Sequence, residues 1–239
     1  MNKMLIGFDL DKTLIKSAAW YRLNLAMGIS DAEDEALYKR GPEMDGELNY
    51  TQWLGELASL YRSRGKATKQ AMEEVILDFK PLAGAKEAVA KLQNEGHQLA
   101  IITGGFQTVA REAARQFGIS YTAANVELTF SQDAAFEDLV LQSNDDRLFK
   151  AEELARLAKT LDIPKERTFY VADGDNDDQV FTRFRGIQIL ADNSSHEAWK
   201  ANALAAGQEF SLHHAGRVAE FILPTIADLP QLINQLDDL

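Results

Sequence analysis

Two aspartates set two residues apart, Asp9 and Asp11, follow a short apolar run, Met4 to Phe8. On an extended backbone, residues two apart project to the same side. Carboxylates held that close repel unless a cation lies between them. A hard cation such as Mg²⁺, which binds through one or two carboxylates together with substrate phosphate, supplies that compensation. A second acidic cluster repeats the arrangement. Behind the apolar run Phe169-Tyr170-Val171-Ala172 stand Asp173, Asp175, Asp177 and Asp178, four carboxylates in six residues, a density of like charge that a bound divalent cation relieves.

Between the two clusters lies Ile101-Ile102-Thr103-Gly104-Gly105-Phe106. A hydroxyl at a strand end, followed by two glycines that open a helix, presents Oγ and backbone N–H groups to an anion with no side chain in the way. That is a phosphate cradle. Lys150 begins the helix expected over 150–161. A cation at a helix N-terminus opposes the macrodipole, so an acidic neighbour such as a carboxylate-phosphate site gives it a reason to be there.

The elements around these residues must bring four strand ends together. Met4 to Phe8 is short and bounded, as a buried strand of a parallel sheet is, and ligands in open α/β sheets sit outside the carboxyl ends of strands. After Thr13 the apolar residues recur at helix period up to about residue 79. Helices are expected over 17–27 (ending at Gly28), from Ser30 or Asp31 to Gly41, from Asn49 or Thr51 to Gly65, and over 68–79. Four helices without a strand read as an insertion. Beyond Pro81 strand and helix alternate: helix 85–94, strand 99–102, helix 106–117, strand 121–124, a hairpin of 126–130 with 136–141, then strand 168–172, helix 177–184 and strand 187–190. A helix over 195–206, a strand at 221–223 and a helix over 228–236 complete the chain. The expected fold is α/β, a doubly wound, Rossmann-like parallel sheet with a small inserted α-helical domain. Its core spans residues 1–14 and 80–239, and the insertion spans 15–79.

Composition bounds the function. Of 239 residues, 46% are hydrophobic and 26% charged, an ordinary globular balance. Lys and Arg number 25 against 37 Asp and Glu, a formal charge of −12, which argues against a broad nucleic-acid-binding surface and requires local cations for an anionic substrate. The absence of cysteine excludes a disulfide scaffold, a thiolate zinc site and a cysteine nucleophile. Met4 to Phe8 is too short for a signal-peptide core and no run reaches transmembrane length, so the expectation is a cytoplasmic protein without a membrane partner. His213-His214 cannot share a helical face, and His97 and His196 have no partner at ligand spacing; all four read as surface residues. The segment between Ala206 and Phe221 is the least legible, and no role is read for 191–220.

At Asp9-x-Asp11-x-Thr13 the chain resembles the haloacid dehalogenase superfamily of phosphoryl-transfer enzymes, whose first motif is Asp-x-Asp-x-Thr. The other three pieces match that family's motifs in order, and Gly104-Gly105-Phe106 is similar to the phosphoserine phosphatase branch. In Ala172-Asp173-Gly174-Asp175-Asn176-Asp177, Ala172 stands where the family's Gly-Asp-Gly-x-Asn-Asp has glycine. A register using Asp175 and Asp178 is the alternative. The resemblance implies an Asp9 nucleophile, Asp11 as the acid and base, and Thr103 and Lys150 on the transferring phosphoryl group. It implies Mg²⁺ held by Asp9, Asp11 and Asp173 with Asp177 in support, and Thr13, Gly104, Gly105 and Asn176 around the phosphate or substrate. The product would be inorganic phosphate, by way of an aspartyl-phosphate.

The substrate implied is a small phosphorylated metabolite. The phosphoserine phosphatases hold the substrate ammonium with a Glu seven residues after the second motif Asp and its carboxylate with an Arg seven after the cap aromatic. Here Ala18 and Leu57 stand at those places, which argues against phosphoserine. Trp20, Tyr21, Arg22 and Tyr50 are the residues expected to line a different, more apolar or more anionic pocket. The alternatives are a phosphotransferase that passes the phosphoryl group to a second alcohol, and a non-catalytic or receiver-like phospho-ligand module.

Overall fold

The computed structural model of the protein describes residues 3–16, 18–42, 46–174, 177–190 and 219–237. The helix expected over 195–206, His196, His213-His214, Asp175 and Asn176 lie outside them. The strands are β1 (Leu5–Phe8), β2 (Gln98–Phe106), β3 (Tyr121–Phe130), β4 (Phe136–Leu141), β5 (Thr168–Ala172), β6 (Arg185–Ile189) and β7 (Phe221–Leu223). They form one sheet in the order β4-β3-β2-β1-β5-β6-β7, parallel throughout except for the β3–β4 hairpin. β1 pairs with β2 on one side and β5 on the other, so the strand order reverses there and opens a crevice at its carboxyl end.

All four residues of β1 are buried, and they alternate between the two sheet faces. Ile6 and Phe8 enter an apolar cluster with α5 (Ala85–Asn94), α6 (Gln107–Phe117) and the C-terminal helix α9 (Leu229–Asp237). Leu5 faces the opposite way, among Leu154 of α7 (Asp146–Thr160), Tyr170 of β5 and Val180 of α8 (Asp178–Arg183). At Gly7 a Cβ would lie 3.0 Å from side-chain carbons of both Leu154 of α7 and Tyr170 of β5, so a side chain here would press on that packing.

Between β1 and α5 come the helices α1 (Ala19–Ala26), α2 (Asp31–Arg40), α3 (Tyr50–Arg64) and α4 (Lys69–Leu77). Their starts follow local chemistry. Ser30 with Glu33 and Asn49 with Gln52 form reciprocal capping boxes, the Thr68 hydroxyl accepts from the Ala71 N–H, and α3 stops at Gly65, whose φ is 67°. The two connections to the sheet run side by side: the Lys16 N–H donates to the Lys80 carbonyl at 2.9 Å and the Leu82 N–H to that of Leu14 at 2.8 Å. The buried side chains of the helices, Leu23, Leu54, Leu57, Tyr61, Met72 and Ile76, continue the apolar cluster of one sheet face. The β3–β4 hairpin clasps the helices as well, through Lys69 N–H to Ala134 O at 2.8 Å, Phe136 N–H to Ala67 O at 3.0 Å and Arg62 to Glu137 O at 2.6 Å.

Several expected boundaries move. β2 runs through both glycines to Phe106 and α6 opens only at Gln107, because Phe106 still pairs with Val126 after a register shift that begins at Thr103. β3 is continuous from Tyr121 to Phe130, since the Asn125 amide in its middle is satisfied in both directions by Ser143. α7 begins at Asp146, capped by Asp145, whose carboxylate accepts from the Leu148 N–H at 2.9 Å. Lys150 is therefore one turn inside the helix, and the macrodipole argument does not apply to it. His97 is buried at 5% exposure, where its Nδ1 accepts from the Met4 N–H, and burial lowers its pKa. Among the described residues no helix is long and apolar enough to cross a membrane.

The burial of Leu57 generates a prediction. An arginine placed there would carry an unpaired charge into the apolar cluster, so Leu57→Arg should lower unfolding free energy by about 3 kcal/mol or more in urea titration. A variant of native stability would show that this side chain can turn into the crevice.

Candidate active site

Register alone brings the site together. β1 ends level with Ile101 of β2 and Val171 of β5, and the Asp9 N–H donates to the Val171 carbonyl at 2.9 Å. Asp9 and Asp173, each just past its strand, and Thr103 within β2 thus lie at nearly the same height on three adjacent strands. Asp9, Asp11, Thr103, Gly104, Gly105, Lys150 and Asp173 all line one cavity of about 270 Å³. Thr13 is fully buried beneath the loop, and Asn176 is outside the described residues.

Lys150 sits at the centre, 1% exposed. Its Nζ lies 2.8 Å from Asp177 Oδ1, 3.7 Å from Asp9 Oδ1 and 3.9 Å from Asp146 Oδ2. Burial opposes its charge, but Asp177 and Asp9 outweigh that and hold its pKa well above the usual lysine value. Asp146, one helical turn before Lys150 and 1% exposed, was not expected from the sequence. Its i, i+4 spacing to Lys150 is a usable signal once α7 is known to start before it. Its carboxylate occupies the space over Gly104 where a side chain would begin, which gives that glycine a steric reason.

The acids differ in state. Burial, then the Asp9 charge, carries the Asp11 carboxyl from 3.8 to about 7, against a hydrogen bond in which the Ala19 N–H donates to Oδ2 at 3.2 Å. Asp177 moves upward too, chiefly through burial and against Lys150. One carboxylate oxygen each from Asp9, Asp173 and Asp177 fall within 4.8 Å of one another. Asp9 Oδ1, Asp11 Oδ1 and Asp177 Oδ2 are buried without a hydrogen-bond donor. Orphaned anionic oxygens converging in this way fit a small hard cation. Asp178 points elsewhere, 3.9 Å from Arg147.

Supporting contacts had no sequence signal. Gln188 of β6 donates to the Asp173 carbonyl at 2.8 Å and fills the space where a Gly174 side chain would stand, and that glycine has a φ of 124°. The Tyr170 hydroxyl donates to the Ile102 carbonyl at 2.6 Å, tying β5 to the β2 end. Of the residues expected to line a substrate pocket, Trp20 and Tyr21 do so, together with Trp53 and Tyr38. Arg22 does not: its guanidinium caps the carbonyls of Val75, Ile76 and Asp78 at the end of α4. Tyr50 packs edge-on against Trp53, ring centroids 6.3 Å apart.

A doubly wound sheet with acids, a hydroxyl and a lysine at its switch point, under an inserted helical layer, defines a class. The family model for haloacid dehalogenase-like hydrolases matches residues 3–185, and the chain belongs to that family. It is a phosphoserine phosphatase-like member and a phosphoric monoester hydrolase. It is 30% identical over 189 residues to the phosphoserine phosphatase of Methanocaldococcus jannaschii, covering 78% of this chain and 84% of that one. Against the phosphoserine phosphatase of Archaeoglobus fulgidus it is 26% identical, covering 88% of this chain and 60% of the relative's length. A solved structure described as a phospho-aspartyl intermediate analogue of phosphoserine phosphatase superposes with a TM-score of 0.68 at 27% identity, over 82% of this chain and 91% of that one.

Two predictions follow from the geometry. In metal-free protein Asp11 takes up its proton on folding, so its contribution to stability is fully present below 3.8 and lost as pH rises through about 7. Cation binding requires ionised carboxylates and acts in the opposite sense. Mg²⁺ should therefore raise the thermal midpoint more at about pH 8 than at about pH 5. Equal shifts at both pH values would remove the cation from this site. Separately, Gly104→Ala drives a methyl into the Asp146 carboxylate and should cost about 1–3 kcal/mol in urea titration.

Proposed function

We propose that the protein is a Mg²⁺-dependent phosphatase that hydrolyses a small phosphomonoester through an aspartyl-phosphate on Asp9. The observation that carries this reading is that Asp9, Asp11, Thr103 and Lys150 line one cavity at the carboxyl end of β1, Lys150 being the buried counter-charge. An Asp9 oxygen attacks phosphorus as the bond to the leaving oxygen breaks, and Asp11 gives its proton to that oxygen. In the metal-free protein burial, then the Asp9 charge, raises the Asp11 carboxyl to about 7, the range in which a carboxyl can both give and take a proton near neutral pH. Water then loses a proton to Asp11 and attacks the same phosphorus, releasing Asp9 and inorganic phosphate. Thr103 and the amides of Gly104 and Gly105 bind the equatorial oxygens, and Lys150 offsets their charge. Asp9, Asp173 and Asp177 would hold the cation, with Asp11 beside them, and the bound ion would supply charge stabilisation at the phosphoryl group.

The helices α1–α4 act in this reading as a cap that selects the substrate, since α1, α2 and α3 supply the far wall of the cavity. A volume of about 270 Å³ suits a metabolite with few atoms beyond its phosphate. The relatives' names favour phosphoserine as a second reading. Ala18 at the cavity wall and the buried Leu57 weigh against it, because neither offers a partner for the ammonium or the carboxylate of an amino acid. Family membership and the helical insertion set the receiver-like alternative aside. Transfer to a second alcohol differs only in the nucleophile that reaches the phosphorylated Asp9.

The test is phosphate release from an aryl phosphate with Mg²⁺ and with chelator, for native protein and for Asp9→Asn. Native protein with Mg²⁺ should turn over, and Asp9→Asn should be slower by about a thousandfold or more. Activity surviving in Asp9→Asn would overturn the assignment of the nucleophile. A new phosphate ester in place of free phosphate when alcohols are added would favour the transferase.

A further inference from the structure

The cavity has two chemically distinct ends. At the floor stand Lys150, Thr103 and the two glycines, which suit an anion. The opposite end is built by one face of α1 and one of α2. On α1, Asn24 neighbours Trp20 at i, i+4 and Tyr21 at i, i+3, and on α2 Asp34 and Tyr38 share a face at i and i+4. Trp53 of α3 closes the wall, its ring centroid 5.3 Å from that of Trp20.

Asp34 is the charged residue of that end among the described residues. It is held there deliberately by a buried relay: the Tyr61 hydroxyl donates to Asn24 Oδ1, and Asn24 Nδ2 donates to Asp34 Oδ1 at 2.6 Å. No lysine or arginine among the described residues forms an ion pair with Asp34. The four arginines of the helical insertion are engaged elsewhere. Arg22 caps the α4 carbonyls, Arg40 pairs with Glu47 and Glu56, Arg62 reaches the hairpin and Arg64 pairs with Glu33. A ligand carboxylate at this end would therefore meet the Asp34 carboxylate, while the two lysines that line the cavity, Lys12 and Lys150, lie against Asp173 and Asp177 at the other end.

The aromatic residues point the same way. Tyr21 and Tyr38, each 46% exposed, are the exposed large aromatics among the described residues, and both line this cavity. Aromatic faces grouped around a carboxylate attract alkylammonium groups through the ring quadrupole and the net charge together. The Tyr21 ring is steadied by its hydroxyl, which donates to Asp31 at 2.8 Å.

We propose that the α1–α2 end of the cavity binds an alkylammonium group, so that the substrate is the phosphate ester of an amino alcohol without a carboxylate, of the phosphoethanolamine or phosphocholine type. This rests on the reading of the Asp9 site as a phosphatase and adds the class of its substrate. The two esters differ in methylation, so comparing them tells whether the Asp34 charge or the aromatic wall dominates.

The experiment measures kcat/KM for phosphate release from phosphoethanolamine, phosphocholine, phosphoserine and glycerol phosphate, using the full chain with Mg²⁺ and an aryl phosphate as reference. At least one amino-alcohol ester should exceed glycerol phosphate and phosphoserine by about tenfold or more. Asp34→Lys should abolish that preference, and Tyr38→Ala, which leaves the Tyr61–Asn24–Asp34 relay intact, should reduce it. If aryl phosphate is hydrolysed while phosphoserine or glycerol phosphate equals the amine esters, the amine proposal fails and the phosphatase reading stands. If nothing is hydrolysed, the phosphatase reading fails, and titration of tryptophan fluorescence with phosphocholine decides the rest. A saturable change lost in Asp34→Lys upholds the ammonium site, and the absence of one overturns it.

Discussion

The interaction on which the rest of this structure depends is the burial of one ammonium group among carboxylates. Lys150 is inside the protein with Asp177, Asp9 and Asp146 within 4 Å of its nitrogen. Removing a lysine and three acids from water is strongly unfavourable unless they compensate one another, and a single positive charge cannot balance all three. The excess is what makes the site chemically useful. Burial, with the Asp9 charge added to it, pushes Asp11 and Asp177 toward their protonated forms, and buried carboxylate oxygens are left without donors, a field that a divalent cation and a phosphoryl group can satisfy together.

Holding that cluster requires rigid neighbours on every side. The Asp9 backbone is fixed by β5, the Ile102 carbonyl by Tyr170 and the Asp173 carbonyl by Gln188. Glycine does the rest through absence. Gly7 lets α7 lie against β1, and Gly104 leaves room for the Asp146 carboxylate that flanks Lys150. The lysine therefore arrives from a helix that packs closely over Gly7, two residues before the Asp9 it faces.

Much of this was legible in the sequence, for physical reasons. The sheet strands are short apolar runs that end in acid, hydroxyl or glycine, and the insertion's helices start at Ser30, Asn49 and Thr68, whose side chains satisfy open N–H groups. What escaped was set by one helix cap and otherwise by tertiary contact. The start of α7 depends on Asp145 and so hid the pairing of Asp146 with Lys150. β2 continues through two glycines because β3 waits beside it. Arg22 is drawn away from the cavity by carbonyls more than fifty residues on, and His97 is buried because it accepts from the start of β1. Apart from the local contacts at the start of α7, these partners lie far away in sequence.

The two ends of the cavity are joined through a single carboxyl group. α1 has no side-chain cap of its own, as Ala18 precedes it, and its first N–H donates instead to Asp11 Oδ2. Asp11 thus serves the helix that carries Trp20, Tyr21 and Asn24 as an N-cap, while facing Asp9 in the loop below. An ionised carboxylate interacts more strongly with a helix N-terminus than a neutral carboxyl does. Gain or loss of a proton at Asp11 consequently changes the hold on the helix that forms the substrate wall. The separation between reacting floor and selecting roof, clear in the chain order, is closed by that one hydrogen bond.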